Sequence, residues 1–144
     1  MKWLWCSIAI LMAAAAPALS QQKYYVDLAG FNQVPEVRTP AMGQLQVWVE
    51  EDSLHVSGEF ENLKDTYLAG YIHYGKKGKQ GNRIYQLRVE IGENYTSGKY
   101  DPQRNRFHLN DAMREALREG NLYINISSRQ HQHGEIRGQI PPIP

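Results

Sequence analysis

Three histidines raise the question of what this chain can do. His131 and His133 stand two apart in the polar segment Ser128–Gly134, and His73 lies near the end of an alternating stretch, Leu68–Tyr74. Three neutral imidazoles brought together would hold zinc or copper, so His73, His131 and His133 are the candidate metal ligands. The competing reading is a solvated His-Gln-His loop and a hydrogen-bonded His73. The residues favour it, because no cysteine or carboxylate stands at ligand spacing beside them. A second cluster is basic. Lys76, Lys77, Lys79 and Arg83 fall within the glycine-rich stretch 75–83, read as a flexible hairpin tip. Their charge suits an anionic partner, such as an acidic polysaccharide, a lipid head group or an acidic protein surface. The plainer alternative is a tip kept soluble by lysine.

Nothing else in the sequence has the spacing of a catalyst. Ser127 and Ser128 precede His131, but adjacency along a chain is not a nucleophile–base geometry. There is no nucleophile elbow, no His-Glu-x-x-His and no glycine-rich strand-to-helix fingerprint, and the Gly75–Lys79 run lacks phosphate-loop spacing. The expectation is a protein that is not an enzyme and carries no cofactor, zinc or copper being the alternative. Glu135 and Arg137 fall on one strand face and are expected to pair with charges on a neighbouring strand. Asn94-Tyr95-Thr96 and Asn125-Ile126-Ser127 have the form of glycosylation sites.

The elements that would position these residues are strands. Leu122, Ile124 and Ile126 alternate with Tyr123, Asn125 and Ser127, and Ile136, Gly138 and Ile140 alternate with Arg137 and Gln139. Period two marks a strand with one buried and one wet face. Gly43–Phe60 reads as a hairpin turning at Glu51–Asp52, with Leu45, Val47, Val49, Leu54, Val56 and Phe60 inward and Trp48 and His55 on the wet side. Tyr24–Leu28 is a first strand. Leu68, Gly70 and Ile72 share the inner face of another, with Tyr71 and His73 outward. Arg83–Ile91 continues the pattern as one strand, with Tyr85, Leu87, Val89 and Ile91 inward, and a short strand is expected within Tyr95–Tyr100. Pro35 and Pro40 remove ladder donors, so the segment between the first strand and the hairpin is a loop or edge. One helix, about 111–118, is capped by Asn110 and stopped by Gly120, with Met113 and Leu117 as its buried stripe. The expected fold is all-β, a Greek-key antiparallel β-sandwich with one short helix.

Composition narrows the function classes. The chain has 144 residues, enough for one domain, and a formal net charge of +1. That balance argues against a nucleic-acid binder held by bulk charge. Lys2, the apolar run Leu4–Ala16 and the small residues up to Ser20 have the form of a signal peptide, too short to span a bilayer. The expected organisation is a signal peptide over 1–20, a single domain over 21–140 and a disordered tail over 141–144. The protein is then exported, periplasmic or extracellular, without stable membrane insertion. The only cysteine, Cys6, lies in the leader, so the domain is disulfide-free and stands on its apolar core.

Four pieces of the chain, in order, resemble the CHRD domain, the module named after chordin and found in many secreted microbial proteins. Gly30, Val34-Pro35, Thr39-Pro40-Ala41 and Gly43 are similar to its opening. Tyr71-Ile72-His73-Tyr74-Gly75 resembles its His-Ile-His-x-Gly. Tyr123–Ser128 resembles Tyr-Val-Asn-Val-His-Thr, and Gly134–Ile140 resembles its close. The resemblance covers roughly 27–140 and implies a secreted binding or structural module without a defined reaction. This chain keeps one of three family histidines, His73, and has Tyr71 and Ser127 at the other two places, which removes two ligands from any metal role carried over by analogy.

The leader makes a direct prediction. Cleavage falls after Ala18 or Ser20, so the intact mass of the exported product should lack the leader, and a retained Met1 would refute it.

Overall fold

The computed structural model describes residues 21–144; the expected leader, with Cys6, lies outside the described residues. The described residues form ten strands, one α-helix and a single 3-10 turn, Gly30–Asn32: β1 Tyr24–Ala29, β2 Met42–Glu50, β3 Ser53–Glu61, β4 Tyr67–Tyr74, β5 Arg83–Gln86, β6 Val89–Ile91, β7 Gly98–Tyr100, β8 Arg106–His108, α1 Asp111–Glu119, β9 Leu122–Ser128 and β10 Ile136–Gln139. All pairings are antiparallel. The strand order is β5-β4-β9-β10-β1-β2-β3-β7-β6, with β8 also paired to β3. The fold is therefore mostly antiparallel β with one short helix, as expected. The strands make one hydrogen-bonded sheet, however, and not the two separate sheets of a Greek-key sandwich.

That sheet curls until strands far apart in its order touch. Tyr67 of β4 stacks on Phe60 of β3 with ring centroids 5.3 Å apart, and its hydroxyl lies 3.3 Å from that of Tyr100 on β7. Tyr85 of β5 stacks on Phe107 of β8 at 5.0 Å and donates to the His108 carbonyl at 2.6 Å. Both contacts require the two arms of the sheet to face each other across a common core. Val26, Leu28, Leu45, Val47, Leu54, Val56, Phe60, Ile72, Ile124, Ile126 and Ile136 fill it. Burial of such side chains is the main stabilising term, worth ~1.5–3 kcal/mol for each one fully buried.

The hairpin β2–β3 has the register that alternation predicts, Val47 opposite Val56 and Val49 opposite Leu54. Trp48 departs from its expected wet setting. His55 stacks on it at 5.3 Å and the Lys23 ammonium sits 4.5 Å from its ring, so the indole is buried on the outer side. Leu68 was expected inside and is exposed. A bulge between Tyr67 and Ala69 shifts the register of β4 against β9, and Tyr67 takes the inward place. The single strand expected over 83–91 is two, because β5 and β6 lie at opposite edges of the sheet. Leu87 bridges them, buried, while Ile91 ends up exposed. The buried Asn105 holds the crossing: its side chain accepts from Arg88 N at 2.7 Å and donates to Arg88 O at 2.9 Å.

The helix matches its caps. Asn110 accepts from Met113 N at 2.8 Å, and Gly120, at φ 71°, ends it in the left-handed region. Leu117 and Ala116 are buried. The tail expected to be disordered packs on this helix: Ile143 is buried and its N–H donates to the Leu117 carbonyl at 3.1 Å. Among the described residues no helix is long and apolar enough to cross a membrane.

The register of the hairpin is testable by contrast. Val47→Asp places an unpaired charge in the core and should destabilise by ~3–5 kcal/mol, whereas Gln46→Asp on the outer face should cost under ~1 kcal/mol. Equal losses in a denaturant titration would show the register to be wrong.

Candidate functional site

Strand β9 is buried along its whole length, on both faces. Its apolar residues face the core. Its polar residues, expected to be wet, lie under loops, and there they form the floor of a cleft. The registers fix who meets whom: Tyr71 lies opposite Asn125, His73 opposite Tyr123, and Arg137 opposite Asn125 from the other side. Residues of one rung and one face are neighbours on a pleated sheet, so β4, β9 and β10 together present Tyr71, His73, Tyr123, Asn125 and Arg137.

These side chains form a continuous row. The Arg137 guanidinium lies 3.5 Å from the centroid of Tyr123. The other stacking partner of Tyr123 is His73, at 4.8 Å and nearly parallel. His73 meets the edge of Tyr71 at 6.2 Å, and the Arg83 guanidinium lies 4.5 Å from the Tyr71 ring. A cation thus stands at each end of an aromatic and imidazole row, attracted to the π faces. The ion pairs of the described residues are His55–Glu50, His108–Asp52 and Arg118–Glu115. Neither arginine takes part in them, which corrects the expectation of an ion pair for Arg137.

Arg137 is only 3 % exposed. One nitrogen is anchored: Nη2 donates to the Lys76 carbonyl at 3.1 Å and to Gln139 Oε1 at 3.5 Å. Burial pulls its pKa below the ordinary value, and it remains a cation. Glu135 is also without an opposite charge. It is fully buried, and its Oε1 accepts from Thr39 Oγ1 at 2.6 Å and from Lys64 N at 2.8 Å. Through those bonds the carboxylate clamps two loops to the start of β10.

Three segments roof the floor. Loop 75–82, expected to be flexible, is tethered. Gly81 O accepts from His73 Nδ1 at 2.9 Å, Gly81 N donates to Tyr123 Oη at 3.0 Å, and Gly75 O accepts from Gln139 at 2.9 Å. Loop 129–134 folds back by a turn in which Gly134 N donates to His131 O at 3.1 Å, and Asn125 donates to the His133 carbonyl at 3.0 Å. Gly134 has φ 137°, and a Cβ there would lie 2.2 Å from Asn125 Oδ1, so only glycine lets this loop reach the floor. The segment after β1 is joined by Gln33, which donates to Asn125 Oδ1 at 2.7 Å. Between roof and floor lies a cleft of about 840 Å³, a size usual for ligand sites.

All three candidate histidines line this cleft. They do not assemble a metal site: among the described residues no group of three or more His, Cys, Asp or Glu is placed to share an ion. The side chain of His133 is exposed, and the part of it that is bonded is the backbone carbonyl. Nε2 of His73 and Nε2 of His131 are both buried without a partner. Because Gly81 O can only accept, Nδ1 of His73 carries the proton, and Nε2 of the neutral ring offers a lone pair. Arg83 lines the cleft too, whereas Lys76, Lys77 and Lys79 stand exposed on the adjoining loop. Ser127 is buried and donates to the Ala69 carbonyl at 3.2 Å. The Asn125 sequon is buried in the floor, while the Asn94 sequon lies on an exposed turn. Tyr123, Asn125, Gln33 and Arg137 were not singled out as site residues from sequence. The available signal was that the outward residues of two adjacent strands are large and polar together.

Burial, more than the nearby Arg83 and Arg137, holds the His73 pKa below its ordinary 6.5, despite the opposing hydrogen bond to Gly81. A base with a depressed folded pKa binds fewer protons folded than unfolded. Its contribution to stability is therefore complete above ~6.5 and lost as pH falls towards the folded value, at no more than ~1.4 kcal/mol per pH unit. His73→Gln, which keeps a donor for Gly81, should flatten the fall in melting temperature between pH 7 and 5. Parallel curves for the two proteins would exclude His73 as its source.

Comparison with family models matches the CHRD domain over residues 24–140. No curated protein and no solved structure matches the chain.

Proposed function

We propose, since the chain belongs to the CHRD domain family, that it is an exported, non-enzymatic binding module that takes its ligand in the cleft over β4, β9 and β10. The observation that supports this is a pair of open polar atoms. Of the four buried side-chain atoms without a partner among the described residues, His55 Nε2 and Glu135 Oε2 lie elsewhere, and Nε2 of His73 and Nε2 of His131 belong to residues on the walls of one cleft. Buried polar groups are nearly always satisfied, and leaving one unpaired costs ~1–3 kcal/mol. A ligand that supplies the missing partners recovers that cost on binding. The tethered roof favours the same reading, because preformed walls lose little freedom when the ligand arrives. Loop lysines Lys76, Lys77 and Lys79 then act at a distance, drawing an anionic ligand or partner towards the cleft. Nucleic acid and stable membrane insertion have no place in this reading.

A thermal-shift array of sugars, organic anions, peptides, zinc and copper tests it on the purified protein. A cleft ligand should raise the melting temperature as its concentration exceeds its dissociation constant. Gln130→Trp, on the exposed rim, should abolish that rise while leaving the unliganded melt near wild type. A rise with zinc or copper that His73→Ala removes would replace this reading with a metal site. Hits indifferent to Gln130→Trp would move the binding surface away from the cleft. Lys76, Lys77 and Lys79 changed together to Ser should leave the melting temperature unchanged and weaken an anionic ligand more at low salt than at high salt.

A further inference from the structure

We infer that the ligand of this cleft is an acidic saccharide, one carboxylate held by Arg137 at one end of the row, a second by Arg83 at the other, and its hydroxyls by the surrounding amides and His73. The inference rests on the cleft being the binding site and adds the ligand's chemical class. The first observation is charge. No Asp or Glu lines the cleft, while two guanidinium groups do. Each guanidinium is supported by a tyrosine ring and not by a carboxylate. Arg137 is anchored through Nη2 alone, so the remaining edge of its planar fork is free of protein acceptors among the described residues. Such a group is matched by a carboxylate, whose two oxygens accept parallel bonds from guanidinium N–H groups.

The second observation is the rest of the wall. Asn82 and Gln130 line the cleft with amides that have no protein partner among the described residues, and Gln33, Gln80 and Gln132, whose NH2 groups are bonded to Asn125, Val34 and Arg129, each keep an amide oxygen free beside them. An amide offers donors and an acceptor on one planar group. A row of them suits a ligand whose groups also donate and accept, which is the character of sugar hydroxyls. The lone pair on His73 Nε2 needs a donor, and a hydroxyl beside the carboxylate supplies one, whereas a bare oxyanion cannot. Tyr123 is stacked on by both Arg137 and His73, and Tyr71 has one face engaged by Arg83. The ligand is therefore gripped through its polar edges and not by stacking on a ring, which distinguishes this cleft from an aromatic sugar platform.

Calorimetric titration with a galacturonate disaccharide, its methyl ester and inorganic phosphate tests the assignment. The free acid should bind, and the methyl ester should bind about 10- to 100-fold more weakly, the range for losing a charge-assisted hydrogen bond. Arg137→Gln should weaken the acid by a similar factor and leave the ester unchanged. Arg83→Gln provides the same test at an exposed position, so the result does not depend on how the buried Arg137 variant folds. Ester bound as tightly as acid, or acid binding indifferent to Arg83→Gln, overturns the carboxylate contact. Phosphate bound as well as the disaccharide overturns the saccharide part. If both uronate and phosphate are silent while another compound binds and is lost in Gln130→Trp, this inference fails and the cleft reading stands.

Discussion

The hairpin β9–β10 holds the molecule together. Strand β4 hydrogen-bonds to β9 and β1 approaches β10, so the strand ladders of the two halves of the sheet are joined through this C-terminal insertion. The seam with β1 is narrow. Gly138 makes it possible, because a Cβ there would lie 2.5 Å from the Asp27 carbonyl oxygen. A central strand must bury both faces, and β9 has polar residues on one of them. Those residues had to find partners indoors. Loops 75–82 and 129–134, with Gln33 from the segment after β1, supply them, and the imperfect closure of these loops is the cleft.

Within that cleft the arginines are placed without compensating acids. Pairing a buried arginine with a carboxylate would satisfy it internally and leave nothing to offer a partner. Tyr123 and Tyr71 stabilise the cations by their π faces, a softer interaction of ~0.5–2 kcal/mol that leaves the N–H groups available. The neutral His73 fits the same logic. A protonated imidazole stacked between them would add a third positive charge to the row, and burial disfavours it. Glu135, the nearest buried acid in sequence, is kept out of the row by being occupied elsewhere, with Thr39 and Lys64.

Much of the fold was legible in the residues. Alternation located β1, β2, β3, β9 and β10, and the capping residues located the helix. What alternation could not show was where one rhythm is interrupted. The bulge before Ala69 turns Leu68 outward, and the break at Leu87 carries the chain from one sheet edge to the other. Both depend on distant partners, Phe60 for the first and Asn105 for the second, which no local window contains. Strand spacing likewise cannot tell two packed sheets from one sheet rolled on itself. Of the residues singled out, His73, His131, His133 and Arg83 do line one cleft, and the three histidines form no ion's shell among the described residues. Arg137 was misread because a charge on an outer strand face is ordinarily exposed. Here that face lies under a loop whose anchoring depends on Tyr123 and Gln139.

The place of the last hairpin also sets the order in which the chain can mature. Strands β1, β2 and β3 are consecutive neighbours and β4 adjoins β5, so each group can pair as soon as it leaves a ribosome or a translocation channel. Their edges cannot be bridged into one hydrogen-bonded sheet until 122–139 has followed. Until then the edges of β1 and β4 that will receive the hairpin stand open to any other extended chain. Contacts such as Ala29 with Arg137 span nearly the whole domain, and closures of that length are slow. A polypeptide interrupted before β9 therefore has two half-sheets whose β1 and β4 edges are unbridged, each an adhesive border, and the interval before the final strands arrive is a period of hazard for this molecule.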